Sequence, residues 1–201
     1  MPRVKGREYR NAGTGFQVDA AQPDTGALIV RGRPIVYDTP TELWRDENGN
    51  PVYEVIASGA LAGADTSDFI FNCEHQGRVY ARSSNKSLTL TDADGGADME
   101  AHLDRDDQGH RQLYNDIRDG RLTRMSFSFT VRENGWDFNE ATNTITIRSI
   151  EKVYDVSAVA FAAYDQTSIS ARSAAFFEEF REKQLKERQK RRRAIAYAMT
   201  F

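Results

Sequence analysis

The sequence predicts a mainly β protein with a few helices, an α+β arrangement in which short strands build the body and helix is confined to one internal segment and the C-terminal end. Three observations predict it. Short apolar or alternating runs recur through the middle of the chain, separated by turn clusters such as SSNK and DADGG, the spacing of an all-β barrel or sandwich. A single internal stretch, QGHRQLYNDIRDGRL, switches to helical period, with Leu113 and Ile117 four apart. From Ala174 the chain has neither Gly nor Pro and is dense in good helix formers.

The elements follow in order. The first 26 residues, rich in Gly, Asp, Gln and Ala and without periodicity, read as a flexible N-terminal arm. ALIVRGRPIVY, from Ala27, is β-rich but interrupted by Gly32 and Pro34, which predicts a bent or bulged edge strand. In WRDENGNPVYEVI, Asn48-Gly49 between apolar flanks is a hairpin signal. Further strands are expected at Asp68 to Cys73, Arg78 to Arg82, Ser87 to Thr91 and Asp98 to Leu103, then, after a helix that Gly120 stops, at Met125 to Val131, Thr144 to Ile150 and Val153 to Phe161. The domain is expected over 27–172 and a basic helical tail over 173–201, with Phe176, Phe177 and Phe180 on one face of the tail.

Composition narrows the function. The 201 residues are the length of one domain, and the longest apolar run, Ala158 to Tyr164, is far short of the ~18 residues of a membrane span. The basic start, MPRVKGREYR, has no apolar segment behind it, so no secretory signal is expected. One cysteine cannot make an internal disulfide, which suits a reducing cytoplasm. The net charge of −3 hides an asymmetry: from Arg172 onward nine basic residues outnumber four acidic ones, which leaves −8 on the body. KERQKRRR is a concentrated positive cluster, but an acidic body repels a phosphate backbone, so nucleic acid is not the expected partner.

Few residues are equipped for chemistry. Of three histidines, His75 stands where the β-like run FNCEHQGR ends, a place where a scaffold presents a side chain to a cleft, whereas His102 and His110 flank the charged turn LDRDDQG. Asp92, Asp94 and Asp98 in TDADGGADME lack the calcium-loop spacing, with Gly95 fourth rather than sixth, and read as a hairpin turn. No zinc or phosphate-binding pattern is present, so neither metal nor cofactor is expected. Cys73, two residues before His75, is the sort of free cysteine that packs in a core. In RLTRMSFSFTV, Met125, Phe127 and Phe129 alternate with Ser126, Ser128 and Thr130, an apolar face backed by a face of hydroxyls. The plainer reading is an amphipathic strand. A serine there becomes a nucleophile only beside a base, for which histidine is suited, and a third group must orient the imidazole. Asp155 lies in KVYDVSAVAF, an apolar strand where a carboxylate needs a partner. His75, Ser126 and Asp155 make a chemically sensible set that spacing alone does not establish.

In order, GRPIVYDTPTEL, YEVIASGAL, FIFNCEHQGRVYAR, RMSFSF and DVSAVAFAAYDQTSISARS resemble the prohead (capsid maturation) serine proteases of tailed bacteriophages, over about residues 28 to 172. The resemblance implies a β-barrel core like that of the herpesvirus assemblin proteases. It implies Ser126 as nucleophile, His75 as general base and Asp155 as the third member. Three departures stand out: Ser128 where a small residue, often Gly, is usual; NCEH, two residues longer than the common Asn-His pair, which predicts a bulged strand end; and AFAAY without the proline of FPAY. Arg121 and Arg124 are the nearest cations for an oxyanion.

The implied activity is endopeptidase cleavage of the major capsid protein's scaffolding segment or of a scaffold protein, and of the enzyme itself, inside the assembling procapsid in the host cytoplasm. The tail then serves as a scaffold-like or packaging segment, and a homo-oligomer is compatible with this setting. The alternatives are a catalytically inactive capsid or scaffold component with the same fold, and a nucleic-acid-binding β-barrel.

Overall fold

A computed structural model describes residues 8–12, 16–18, 28–46 and 48–160. The strands are β1 (Glu8–Ala12), β2 (Phe16–Val18), β3 (Leu28–Val36), β4 (Thr41–Arg45), β5 (Pro51–Ile56), β6 (Ile70–Cys73), β7 (Gln76–Arg82), β8 (Leu88–Ala93), β9 (Gly96–Leu103), β10 (Arg124–Val131), β11 (Trp136–Asn139), β12 (Thr144–Ile147) and β13 (Ile150–Val159). One α-helix, α1 (Gln108–Arg118), interrupts them. The mainly β expectation holds among the described residues, but with one α-helix rather than a few, and the tail on which a second was expected lies outside them.

The strands form three sheets, ordered β1-β10-β13-β6-β7, β11-β12-β5-β4 and β2-β3-β9-β8. Among the described residues no sheet pairs its last strand with its first, so the expected barrel is corrected to three open, packed sheets: closure needs a continuous ladder that these sheets lack. A bulge at Gly32/Ile35 in β3, and two in β13 at Tyr154 and Glu151, opposite Ser128/Phe129 and Thr130/Val131 of β10, bend the strands locally. The β3 bulge is where Gly32 and Pro34 predict it. Its edge position is not: β2 covers the outer side of β3, which therefore runs inside its sheet.

Local chemistry accounts for the turns. Gly49 takes φ +80° in the β4–β5 hairpin, where Asp46 accepts hydrogen bonds from the backbone N–H of Asn48 and of Asn50. At the start of α1 the Asp107 carboxylate accepts from the N–H groups of Gly109 and His110, at 2.8 and 3.1 Å, an N-cap worth about 1 kcal/mol. Gly120 ends the segment at φ +74°. α1 turns Leu113, Tyr114 and Ile117 inward against β2, β3 and β9. The core gathers the inner faces of the sheets, with Phe69, Phe71, Phe127, Phe129, Met99, Met125 and Leu103 fully buried, each contributing roughly 1.5–3 kcal/mol.

Gly96, at the start of β9, has no room for a side chain: a Cβ would meet the Ile35 carbonyl oxygen at 2.2 Å, and a backbone atom cannot swing away. Gly96→Ala is expected to destabilise the fold by about 1–3 kcal/mol, read as a lowered urea midpoint with unchanged slope.

Candidate functional site

The site grows out of strand register. β10 pairs antiparallel with β13, and β13 pairs parallel with β6. These ladders put Ser126 opposite Ser157 and Ser157 beside Asn72, one polar row across three strands, and put Ser128 opposite Asp155 in the next row. Side chains alternate, so the opposite face of β10 carries Met125, Phe127 and Phe129 into the core. The row of hydroxyls, amide and carboxylate is buried in the sheet, with Asp155 only 1% exposed and Ser126 2%.

His75 reaches this row because the backbone turns sharply after β6. Glu74 and His75 adopt φ +52° and +55°, in the left-handed region that costs non-glycine residues about 1 kcal/mol or more each. With the register shift between Phe71 and Cys73, this is the bulged strand end that NCEH predicts. Hydrogen bonds hold the turn: the Glu74 N–H donates to the Ala158 carbonyl, the His75 N–H donates to Ser157 Oγ at 3.2 Å, and Ala160 N–H donates to the Glu74 carboxylate.

The structure brings His75, Ser126 and Asp155 together. His75 Nδ1 lies 2.6 Å from Asp155 Oδ1, and Nε2 lies 2.5 Å from Ser126 Oγ. A carboxylate only accepts, so the Nδ1 proton points to Asp155 and Nε2 offers its lone pair to the Ser126 hydroxyl. Ser126 Oγ also lies 2.9 Å from the Arg10 carbonyl oxygen, a second acceptor for its one proton. The second carboxylate oxygen of Asp155 accepts from Ser128 Oγ at 2.5 Å. Ser157 Oγ lies 3.0 Å from both His75 Nδ1 and Asp155 Oδ1, and it donates to the side-chain oxygen of Asn72. Hydroxyl and imidazole groups thus hold this buried carboxylate.

The other candidates serve elsewhere. His102 Nε2 pairs with Glu100 at 2.6 Å, and His110 Nδ1 accepts the Asp104 N–H at 2.9 Å while its ring packs on Tyr80. Asp92 accepts the Tyr37 hydroxyl, Asp98 pairs with Arg33, and Asp94 sits in the β8–β9 hairpin beside Gly95 at φ +73°. Cys73 is half-buried rather than fully so, and burial, then the charges of Glu74 and Asp116, push its thiol up, away from a thiolate nucleophile. Arg121 is tied to Asp116 and Asp119 beyond the end of α1. Ala160 is the last described residue, so the rest of AFAAY lies outside the description.

Sequence reasoning missed the supporting residues. Ser128 was visible as the next hydroxyl on the face of Ser126, and Ser157 as the next residue on the face of Asp155; their partnership depends on register. It also missed β1, which pairs along the outer side of β10 with Asn11 opposite Ser126. Ser128→Ala removes one donor from a buried carboxylate, and a loss of about 1.5–3 kcal/mol in unfolding free energy is expected by urea titration.

No curated protein and no solved structure matches the chain. The family description "caudovirus prohead serine protease" matches residues 16–182, most of the sequence and all three of His75, Ser126 and Asp155. The chain therefore belongs to the caudovirus prohead serine protease family.

Proposed function

We propose that Ser126 is the nucleophile, His75 the general base and then acid, and Asp155 the group that orients the imidazole, in an endopeptidase that cuts capsid or scaffold proteins of the prohead and also its own chain. The observation that carries this reading is the unbroken line of hydrogen bonds from Ser126 Oγ through both ring nitrogens to the Asp155 carboxylate. A serine hydroxyl is a weak nucleophile until a base takes its proton as the C–O bond forms, and Nε2 is within reach to do so. The carboxylate then stabilises the imidazolium, and the same Nε2 proton is delivered to the leaving amine.

Capsid or scaffold protein as substrate, and the prohead interior as the place of action, come from family membership. The basic tail, net +5 from Arg172 onward, fits a segment that docks on an acidic shell interior. No helix among the described residues is long and apolar enough to cross a membrane.

The test is co-expression of the chain with its capsid protein, with mass measurement of both products, and labelling with a fluorophosphonate, which reacts only with an activated serine. Ser126→Ala is expected to lower cleavage at least 10³-fold and to abolish labelling, while unfolding free energy changes by about 1 kcal/mol. Normal processing by that variant would transfer the role to another residue. A parent chain that neither cuts nor labels would be the inactive capsid component.

A further inference from the structure

β1 lies on β10 as an extended peptide lies on a sheet edge. Residues Glu8 to Ala12 pair antiparallel with Phe129 to Met125, in the mode by which sheets take up peptide strands, with main-chain bonds for affinity and side-chain pockets for selection. The Arg10 carbonyl, half of the Arg10–Asn11 peptide bond, is the one 2.9 Å from Ser126 Oγ. From the same residue the guanidinium reaches Glu54 on β5, a strand of another sheet: Nε donates to Oε1, and a terminal nitrogen donates to Oε2 at 2.5 Å. The guanidinium also donates to Glu8 at 3.0 Å and lies over the Phe129 ring, 5.7 Å from its centroid.

Glu54 is out of character for its position. It shares the inward face of β5 with buried Val52 and Ile56 and is itself 4% exposed. Burying a carboxylate costs several kcal/mol, recovered only with a close, well-shaped cationic partner. A planar fork of donors meeting two carboxylate oxygens is the geometry that separates arginine from other side chains. Glu54 lies inside the family-matched residues, whereas the arginine that pairs with it lies before them.

We propose that Glu54 is the specificity residue of the protease, selecting arginine or lysine on the amino side of the cut bond, and that Arg10–Asn11 is a bond of this chain held in place for cleavage. The proposal rests on Ser126 being the nucleophile. The Ser126 hydroxyl adds to the Arg10 carbonyl carbon as its proton passes to His75 Nε2. The bond to Asn11 breaks, and its nitrogen takes that proton to leave as a free amine. Water then adds to the Arg10–Ser126 ester through the same base, releasing the Arg10 carboxylate and restoring the hydroxyl. The net reaction consumes one water and needs no other reactant.

The full chain tests this by intact-mass measurement over time, alongside fluorophosphonate labelling of Ser126. The parent and Arg10→Lys are expected to lose residues 1–10, the latter within tenfold of the parent rate. Arg10→Ala and the near-isosteric Glu54→Gln are expected to cut there at least 100-fold more slowly while Ser126 still takes label. A second measurement needs no altered protein: the parent is given the peptide GREYRNAG, residues 6–13, with Arg, Ala or Glu at the position of Arg10, and cleavage before Asn is expected at least 100-fold faster with Arg. Equal cleavage of the three peptides, or a labelled chain that stays whole at Arg10–Asn11 or cuts there regardless of Arg10 and Glu54, would overturn the proposal. Absence of label in every variant would remove the nucleophile reading and this one with it.

Discussion

A carboxylate at the centre of a β-sheet is the most demanding group in this molecule. Asp155 is almost fully buried, its strand neighbours Val153, Val156 and Ala158 are apolar, and its carboxylate meets the hydroxyl of Ser128 and the imidazole of His75, with Ser157 Oγ 3.0 Å away. Hydrogen-bond donors hold such a group only at hydrogen-bonding distance, so the positions of β10, β13 and β6 relative to one another are constrained to a fraction of an ångström. A slip of one residue between β10 and β13 would exchange the hydroxyl face for Phe127 and Phe129 and leave the carboxylate against aromatic rings. The large core side chains on the other face of β10 oppose that slip, because it would carry them out of the core. Packing on one side of the strand thus secures the polar geometry on the other.

The same constraint explains the strained turn after β6. His75 must bring both ring nitrogens to partners on two strands, Asp155 on β13 and Ser126 on β10, which a regular continuation of β6 would not do. Two successive left-handed residues fold the chain back over β13, and the Ala158 carbonyl, Ser157 Oγ and Glu74 carboxylate stabilise the bend. Strain of about 2 kcal/mol is small against the several hydrogen bonds that this turn satisfies.

How much of this was legible in the sequence differed from element to element. Alternation in RMSFSFTV and turn residues such as Asn48-Gly49 are local, so strands β5 to β10 and the helix around Leu113 and Ile117 could be read directly. β11 went unread because WDFN is four residues long and its pairing with β12 is tertiary. Barrel closure came from resemblance, and closure is a property of strand order that no local pattern encodes. His75, Ser126 and Asp155 were nominated by chemistry and resemblance; the roles of Ser128, Ser157 and Asn72 required knowing which residues face one another across strands. Glu54 left a faint trace, an acid on the apolar face of PVYEVI, but its partner sits 44 residues earlier in an arm without periodicity.

Coverage by β1 sets a condition on any substrate supplied by another chain. β1 occupies the outer side of the strand that bears Ser126, and that serine is only 2% exposed while β1 is in place. An incoming peptide that uses the same edge must wait until β1 leaves, so its apparent affinity falls by the fraction of molecules that are open. Leaving separates the Arg10–Glu54 pair, whose two charges are buried together: burial pulls the Arg10 guanidinium's pKa down, but the charges and hydrogen bonds of Glu54 and then Glu8 together raise it above its ordinary value. At an exposed site such a pair would contribute little and the arm would exchange freely; burial makes its separation costly until water reaches Glu54. The proposed cleavage after Arg10 would change that balance, because the part of β1 up to Arg10 would become a short separate peptide that is diluted once it dissociates. The opening step would then be effectively one-way, and the edge left behind would present a row of backbone donors and acceptors with the Glu54 carboxylate beside it. On the proposed cleavage, an inhibited precursor and an active enzyme would both follow from a single strand pairing and one buried ion pair.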